Sequence, residues 1–109
     1  MLFGDIKNVH DLHHTMMRFP CLSFEEKPLA DFLEAFMRAK GAKVHRHLDN
    51  VWYELGSGDE VLLLNSHLDV VPASQGHPYP PFEPTVVEGK VYGRGAVDAK
   101  ASGAAMTWA

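Results

Sequence analysis

Five prolines stand between residues 72 and 84: Pro72, Pro78, Pro80, Pro81 and Pro84. Proline lacks an amide hydrogen and has a fixed φ, so this stretch can be neither a helix nor a central strand. It divides the chain in two. Directly before it comes a dense apolar run, Val61 to Leu64, followed by His67 and Asp69. After it comes a short hairpin signal, a Gly-Arg-Gly turn and Asp98. Tyr79 and Phe82 lie within the stretch, which predicts a stiff loop held by aromatic anchors rather than a disordered linker.

The upstream part reads as support for the apolar run. Ile6, Val9, Leu12 and Met16 recur at helical spacing and predict a helix over residues 5–18, closed by Phe19-Pro20. His10 and His14 stand at i and i+4 on it, a spacing that metal ligands use. No third ligand is near them in sequence, and a solvated face is the better reading. The clearest helix lies within residues 23–40, where Leu29, Phe32, Leu33, Phe36 and Met37 form one apolar stripe. Glu34 and Arg38 pair at i,i+4 on its outer side. Ser23-x-x-Glu26 resembles a capping box. Pro28 conflicts with a start right after Ser23, so regular helix is expected from Glu26 or Lys27, with Gly41 as its stop.

Residues 42–48 and 51–55 predict two strands joined at Asp49-Asn50. His45 and His47 share a face there, beside Lys43 and Arg46, and read as a solvated edge. A turn follows at Gly56-Ser57-Gly58-Asp59. Val61 to Asn65 is apolar at consecutive positions, the pattern of a strand buried on both faces in an α/β sheet. Beyond the proline loop, residues 85–87 and 90–92 flank Glu88-Gly89 as a hairpin. Residues 99–109 begin a helix, and the chain stops inside it, which reads as the N-terminal piece of something longer.

Composition narrows the function. Hydrophobic residues are 46 % and charged residues 22 % of the 109-residue chain, an ordinary globular balance, so one domain or part of one is expected. The net charge is -4, without a Lys/Arg cluster, which argues against a nucleic-acid partner. No apolar run approaches the ~20 residues of a membrane span, and no signal-peptide core precedes residue 10. The single Cys21 rules out an internal disulfide and fits the cytoplasm; it reads as a packed residue, not a nucleophile.

His67 and Asp69 alternate with Leu68 and so leave the strand end on one face. A metal-bound imidazole usually donates its second N–H to a carboxylate, a role open to Asp69. Asp98, at a loop-to-helix junction, is a candidate ligand able to bridge two cations. Imidazole and carboxylates without thiolates suit Zn²⁺, with Mn²⁺ or Co²⁺ as substitutes. By spacing alone, an unligated histidine beside a loop aspartate explains the pattern equally well.

The wider motifs shift that balance. NSHLDVVP, then PPFEP, then VEGKVYGRGAVDAK closely resemble the metal-dependent amidohydrolases and exopeptidases that include acetylornithine deacetylase, succinyl-diaminopimelate desuccinylase, aminoacylases and glutamate carboxypeptidases. SFEEKPLADFLEAFMRAKGAKV is similar to that family's N-terminal region, so the resemblance covers nearly the whole chain. Ser66 and Ala101 stand where the family often has glycine.

The resemblance implies an α/β fold: the N-terminal part of a zinc-exopeptidase-like catalytic domain, a mixed sheet flanked by helices, filling residues 1–109. It implies that His67 is a metal ligand, Asp98 the carboxylate bridging two zinc ions, and Asp69 the catalytic-centre aspartate that orients His67. It also implies a cis Asp98–Ala99 peptide. Two metals about 3.5–4 Å apart would share and acidify a water, and a glutamate would take its proton before attack on an amide. That glutamate, the other ligands and a dimerisation or lid domain would lie beyond Ala109. The substrate class implied is an N-acyl amino acid or dipeptide, with no nucleic acid, no membrane and a homodimer for the complete protein. Acetylornithine deacetylase-like activity, in arginine biosynthesis, is the first reading. Desuccinylase or peptidase activity and a non-catalytic remnant of the fold are the alternatives. Arg94, between two glycines, reads as structural rather than as a clamp for a substrate carboxylate.

Overall fold

A computed structural model of the chain describes residues 3–109. Three α-helices and four short strands make up its regular structure: α1 (Val9–Met17), α2 (Lys27–Ala39), β1 (Lys43–His47), β2 (Asn50–Glu54), β3 (Thr85–Val87), β4 (Lys90–Tyr92) and α3 (Lys100–Trp108). The α/β reading holds.

α1 starts later than its apolar spacing predicts. A 3₁₀ turn at Phe3–Asp5 precedes it, and Asn8 caps it by accepting a hydrogen bond from the Asp11 amide at 2.8 Å. An Asn cap ends the run of unsatisfied amides better than another turn of helix would. α2 matches its expected start and stop. It opens at Lys27 with Pro28 in the first turn, and Gly41 leaves it at φ 84°. All five residues of its predicted stripe are buried. Glu34 and Arg38 pair at 3.0 Å. The capping box is not formed: Glu26 accepts from the Phe24 amide, and the Ser23 hydroxyl turns elsewhere.

The core is the α2 stripe packed with Leu12 and Met16 of α1, Cys21, Val44 of β1 and Ala104 of α3. Burying six or so such side chains, at roughly 1.5–3 kcal/mol each, is the main force holding the helices and the first hairpin together. β1 and β2 pair antiparallel, with His45 opposite Trp52. Their turn falls at Leu48-Asp49, one residue earlier than predicted, with Leu48 at φ 52°. His45 stacks on Trp52 and reaches Glu54 at 3.0 Å, on a half-exposed edge as expected. β3 and β4 form the predicted hairpin, with Glu88 and Gly89 both at positive φ. Between them and the apolar run, the proline segment is irregular. Tyr79 packs on Tyr92 at 4.9 Å, which anchors it.

One expectation fails. Residues 61–65 form no strand, and Leu62 and Leu63 are 84 % and 80 % exposed. A strand apolar on both faces needs a ladder on its edges and layers over its faces. Among the described residues the strands form two separate two-stranded hairpins, and neither extends its edge to this run. The extended chain finds a partner only further on, where Val70 and Leu22 form a parallel bridge. Among the described residues no helix is long and apolar enough to cross a membrane.

Candidate metal centre

The chain turns into the site at that bridge. The Val70 amide donates to Cys21 O at 2.7 Å, which fixes the end of the His67-Leu68-Asp69 segment against the α1–α2 linker. On the other side of the site, Gly93 and Gly95 sit at φ 151° and 88°. A Cβ on Gly93 would lie 2.5 Å from Met17 Cε, and one on Gly95 would lie 2.8 Å from Lys100 Cδ. Both positions require glycine, and the tight turn between them delivers Asp98 to the start of α3. The Asp98–Ala99 peptide is cis, as the resemblance implies.

These two segments meet. His67 Nε2 lies 3.0 Å from Asp98 Oδ1. His67 Nδ1 lies 3.0 Å from Asp69 O and 3.2 Å from Asp69 Oδ1. A backbone carbonyl can only accept, so Nδ1 carries a proton and donates to Asp69. Ser23 Oγ donates to Asp69 Oδ2 at 2.6 Å. Ser66, one of the two departures from the family pattern, sits 3.4 Å from both Ala99 O and Ser102 Oγ and so ties the two segments together.

The electrostatics follow from these contacts. Desolvation pulls the His67 imidazole down, but its hydrogen bonds to Asp98 and Asp69, and their charges, outweigh it and raise its pKa. The Ser23 hydroxyl, foremost, holds the Asp69 carboxyl below the usual range against desolvation, with help from His67. The two carboxylates address opposite ring nitrogens and do not converge on one point. Consistent with this, no group of three or more His, Cys, Asp or Glu among the described residues is arranged as a metal cage.

The other polar candidates lie elsewhere. His10 is exposed, as a solvated face predicts, but His14 is half-buried with Nε2 sealed and unpaired, and burial lowers its pKa. The Arg94 amide donates to Pro81 O at 2.6 Å and fastens the turn to the proline loop, while its side-chain Nε is buried without a partner among the described residues. Cys21 is 2 % exposed, and burial pushes its thiol up to about 11, so it is packing and not a nucleophile.

Sequence reasoning missed two residues. Ser23 reads as a helix cap, and nothing local announces its contact with Asp69, 46 positions away. Lys100 is fully buried and donates to Phe19 O at 2.7 Å. A lone lysine in a helix of Ala, Ser and Gly was the available signal. Burial lowers its pKa.

The sequence is similar to that of known proteins. The model of peptidase family M20/M25/M40 matches residues 63–109. The chain is 39 % identical over 85 residues to a succinyl-diaminopimelate desuccinylase of Thiobacillus denitrificans, covering 72 % of this chain and 22 % of that protein. It is 39 % identical over 75 residues to a probable succinyl-diaminopimelate desuccinylase of Staphylococcus aureus, covering 66 % and 19 %. The chain thus spans about a fifth of the length of the curated relatives it matches. His67, Asp69 and Asp98 all fall in the segment that matches the model of peptidase family M20/M25/M40.

Proposed function

We propose that residues 1–109 form the N-terminal part of the catalytic domain of a metal-dependent amide hydrolase. In this reading His67 and Asp98 are metal ligands and Asp69 is the carboxylate that orients His67. The observation that carries it is the position of His67 between the two aspartates. With Nδ1 protonated toward Asp69, the second nitrogen keeps its lone pair free for a metal and points it toward Asp98. Bonds of about 2.0–2.1 Å to a tetrahedral ion put two donors roughly 3.3 Å apart. His67 Nε2 and Asp98 Oδ1 stand 3.0 Å apart, and the Asp98 side chain is 87 % exposed, so its other oxygen is open to a second ion. The donor set of imidazole and carboxylate suits Zn²⁺, with Co²⁺ or Mn²⁺ as substitutes.

Bound there, Zn²⁺ would supply Lewis acidity for water activation and carbonyl polarisation. The chain's own part is to hold the ligands. Asp69 keeps the proton on Nδ1 and fixes the ring plane, and the Gly93–Gly95 turn brings in Asp98. The names of the matched relatives favour desuccinylation of an N-succinyl amino acid over the deacetylation of acetylornithine that the motifs alone put first. The substrate is then a small N-acyl amino acid, met in the cytoplasm by a homodimer.

Two protein ligands are fewer than the three or four of an ordinary zinc site. Calorimetry with zinc chloride should therefore find weak binding to the 109-residue chain, abolished in His67→Ala and in Asp98→Ala. The chain alone should not turn over N-succinyl-diaminopimelate. Undiminished zinc binding by both variants would remove the assignment.

A further inference from the structure

Residues 19–23 of the α1–α2 linker touch both halves of the site. Phe19 O accepts from buried Lys100 Nζ at 2.7 Å, two residues after Asp98. Cys21 O accepts from the Val70 amide at 2.7 Å, one residue after Asp69. Ser23 then reaches the carboxylate itself at 2.6 Å. Its helix offers no competing use for the hydroxyl, since α2 begins at Lys27 without a side-chain cap. Phe24, next in the chain, is held at φ 71° with its ring 95 % exposed. A left-handed aromatic residue with nothing to bury is uncommon.

We propose that Ser23 is a positioning residue for His67, acting through Asp69. The carboxylate torsion of an aspartate is broad and nearly two-fold, so a single contact leaves it free to swing. Here one oxygen faces His67 Nδ1 at 3.2 Å and the other accepts from Ser23. With both oxygens engaged, Asp69 cannot rotate, and its carboxylate adds to the Asp69 carbonyl in holding His67 with Nδ1 protonated and Nε2 toward Asp98. Partners of this kind, one step behind a metal ligand, typically change metal affinity about 10–100-fold when removed. The inference rests on the metal-centre reading, since a fixed tautomer matters to a ligand.

The test uses the ¹⁵N-labelled 109-residue chain at a pH where His67 is neutral. The ring nitrogens of His67, assigned with His67→Gln, are followed in two-bond ¹H–¹⁵N spectra. Wild type should show one tautomer, protonated at Nδ1. Ser23→Ala leaves the Asp69 carbonyl in place and should move those shifts part of the way toward the other tautomer, with about tenfold weaker zinc binding by calorimetry. Ser23→Thr, which keeps the hydroxyl, should restore both. If Ser23→Ala fails to fold, Ser23→Thr against Ser23→Val makes the same comparison at constant shape. A folded, hydroxyl-free variant with the wild-type tautomer and zinc affinity overturns the proposal. Loss of the metal-centre reading has a different signature: His67→Gln would bind zinc as wild type does, while the tautomer shift on removing the hydroxyl would stand.

Discussion

His67 Nε2 and Asp98 Oδ1 are 3.0 Å apart, although they lie 31 positions apart in the chain with the whole proline loop between them. Without a metal, two acceptors at that distance need a proton between them. The raised pKa of His67 is the expression of that need.

The sign of the resulting pH dependence follows. A histidine whose folded pKa is raised stabilises the fold fully below its unfolded value, about 6.5, and loses that contribution as pH rises through the folded value. The ring is half exposed, so the effect on stability is small. The pKa itself is the better readout. An NMR titration should place His67 above the ordinary value in the wild type, and Asp98→Asn should bring it down. An unchanged titration in Asp98→Asn would mean that the two side chains do not meet in solution.

Gly93 is the second testable position. Its φ of 151° strains any side chain there, and a built Cβ would lie 2.5 Å from Met17 Cε and 3.3 Å from Pro81 O, so the fully buried methionine would have to shift. Gly93→Ala should destabilise the chain by about 1–3 kcal/mol in urea, through overpacking and backbone strain together. Gly89→Ala, also at positive φ but with open space around it, carries only the backbone part and should cost less.

This pairing shows what the sequence made legible. Periodicity located α2 to within a residue, because its stripe alternates cleanly with charges and Gly41 ends it. Turn chemistry located β3 and β4, because Glu88-Gly89 permits little else. The meeting of His67 with Asp98 is not legible from spacing, since a short spacing does not say which distant carboxylate meets the imidazole. Ser23 was misread because a serine before a helix has a local explanation, and the competing tertiary contact leaves no local trace. Val61 to Leu64 was misread because consecutive apolar residues report a preference for burial, which only a neighbouring strand can satisfy.

Cys21 tests the core. It is buried among the helices, and burial raises its thiol to about 11, against a smaller lowering by the Lys100 charge. A shift of about two units cuts the thiolate fraction near neutral pH about 100-fold. Reaction with a disulfide reagent at pH 7.5 should be at least that much slower in the native chain than in urea. Equal rates would place Cys21 in water and break the contact between the linker and the core.

The exposed apolar run decides between pattern and structure. Val61, Leu62, Leu63 and Leu64 are 86 %, 84 %, 80 % and 56 % exposed. Side chains in water contribute little to stability, so Leu62→Lys should change it by no more than about 0.5 kcal/mol. Leu33→Ala, at 3 % exposure in the α2 stripe, should cost about 2–5 kcal/mol in the same assay. The run combines β-forming and apolar residues without a charge, a composition that promotes edge-to-edge pairing between chains. Leu62→Lys should therefore also raise the concentration at which the chain self-associates, as read by sedimentation velocity. A loss of several kcal/mol in Leu62→Lys would mean that the run is packed in a sheet after all, as its sequence pattern alone predicts.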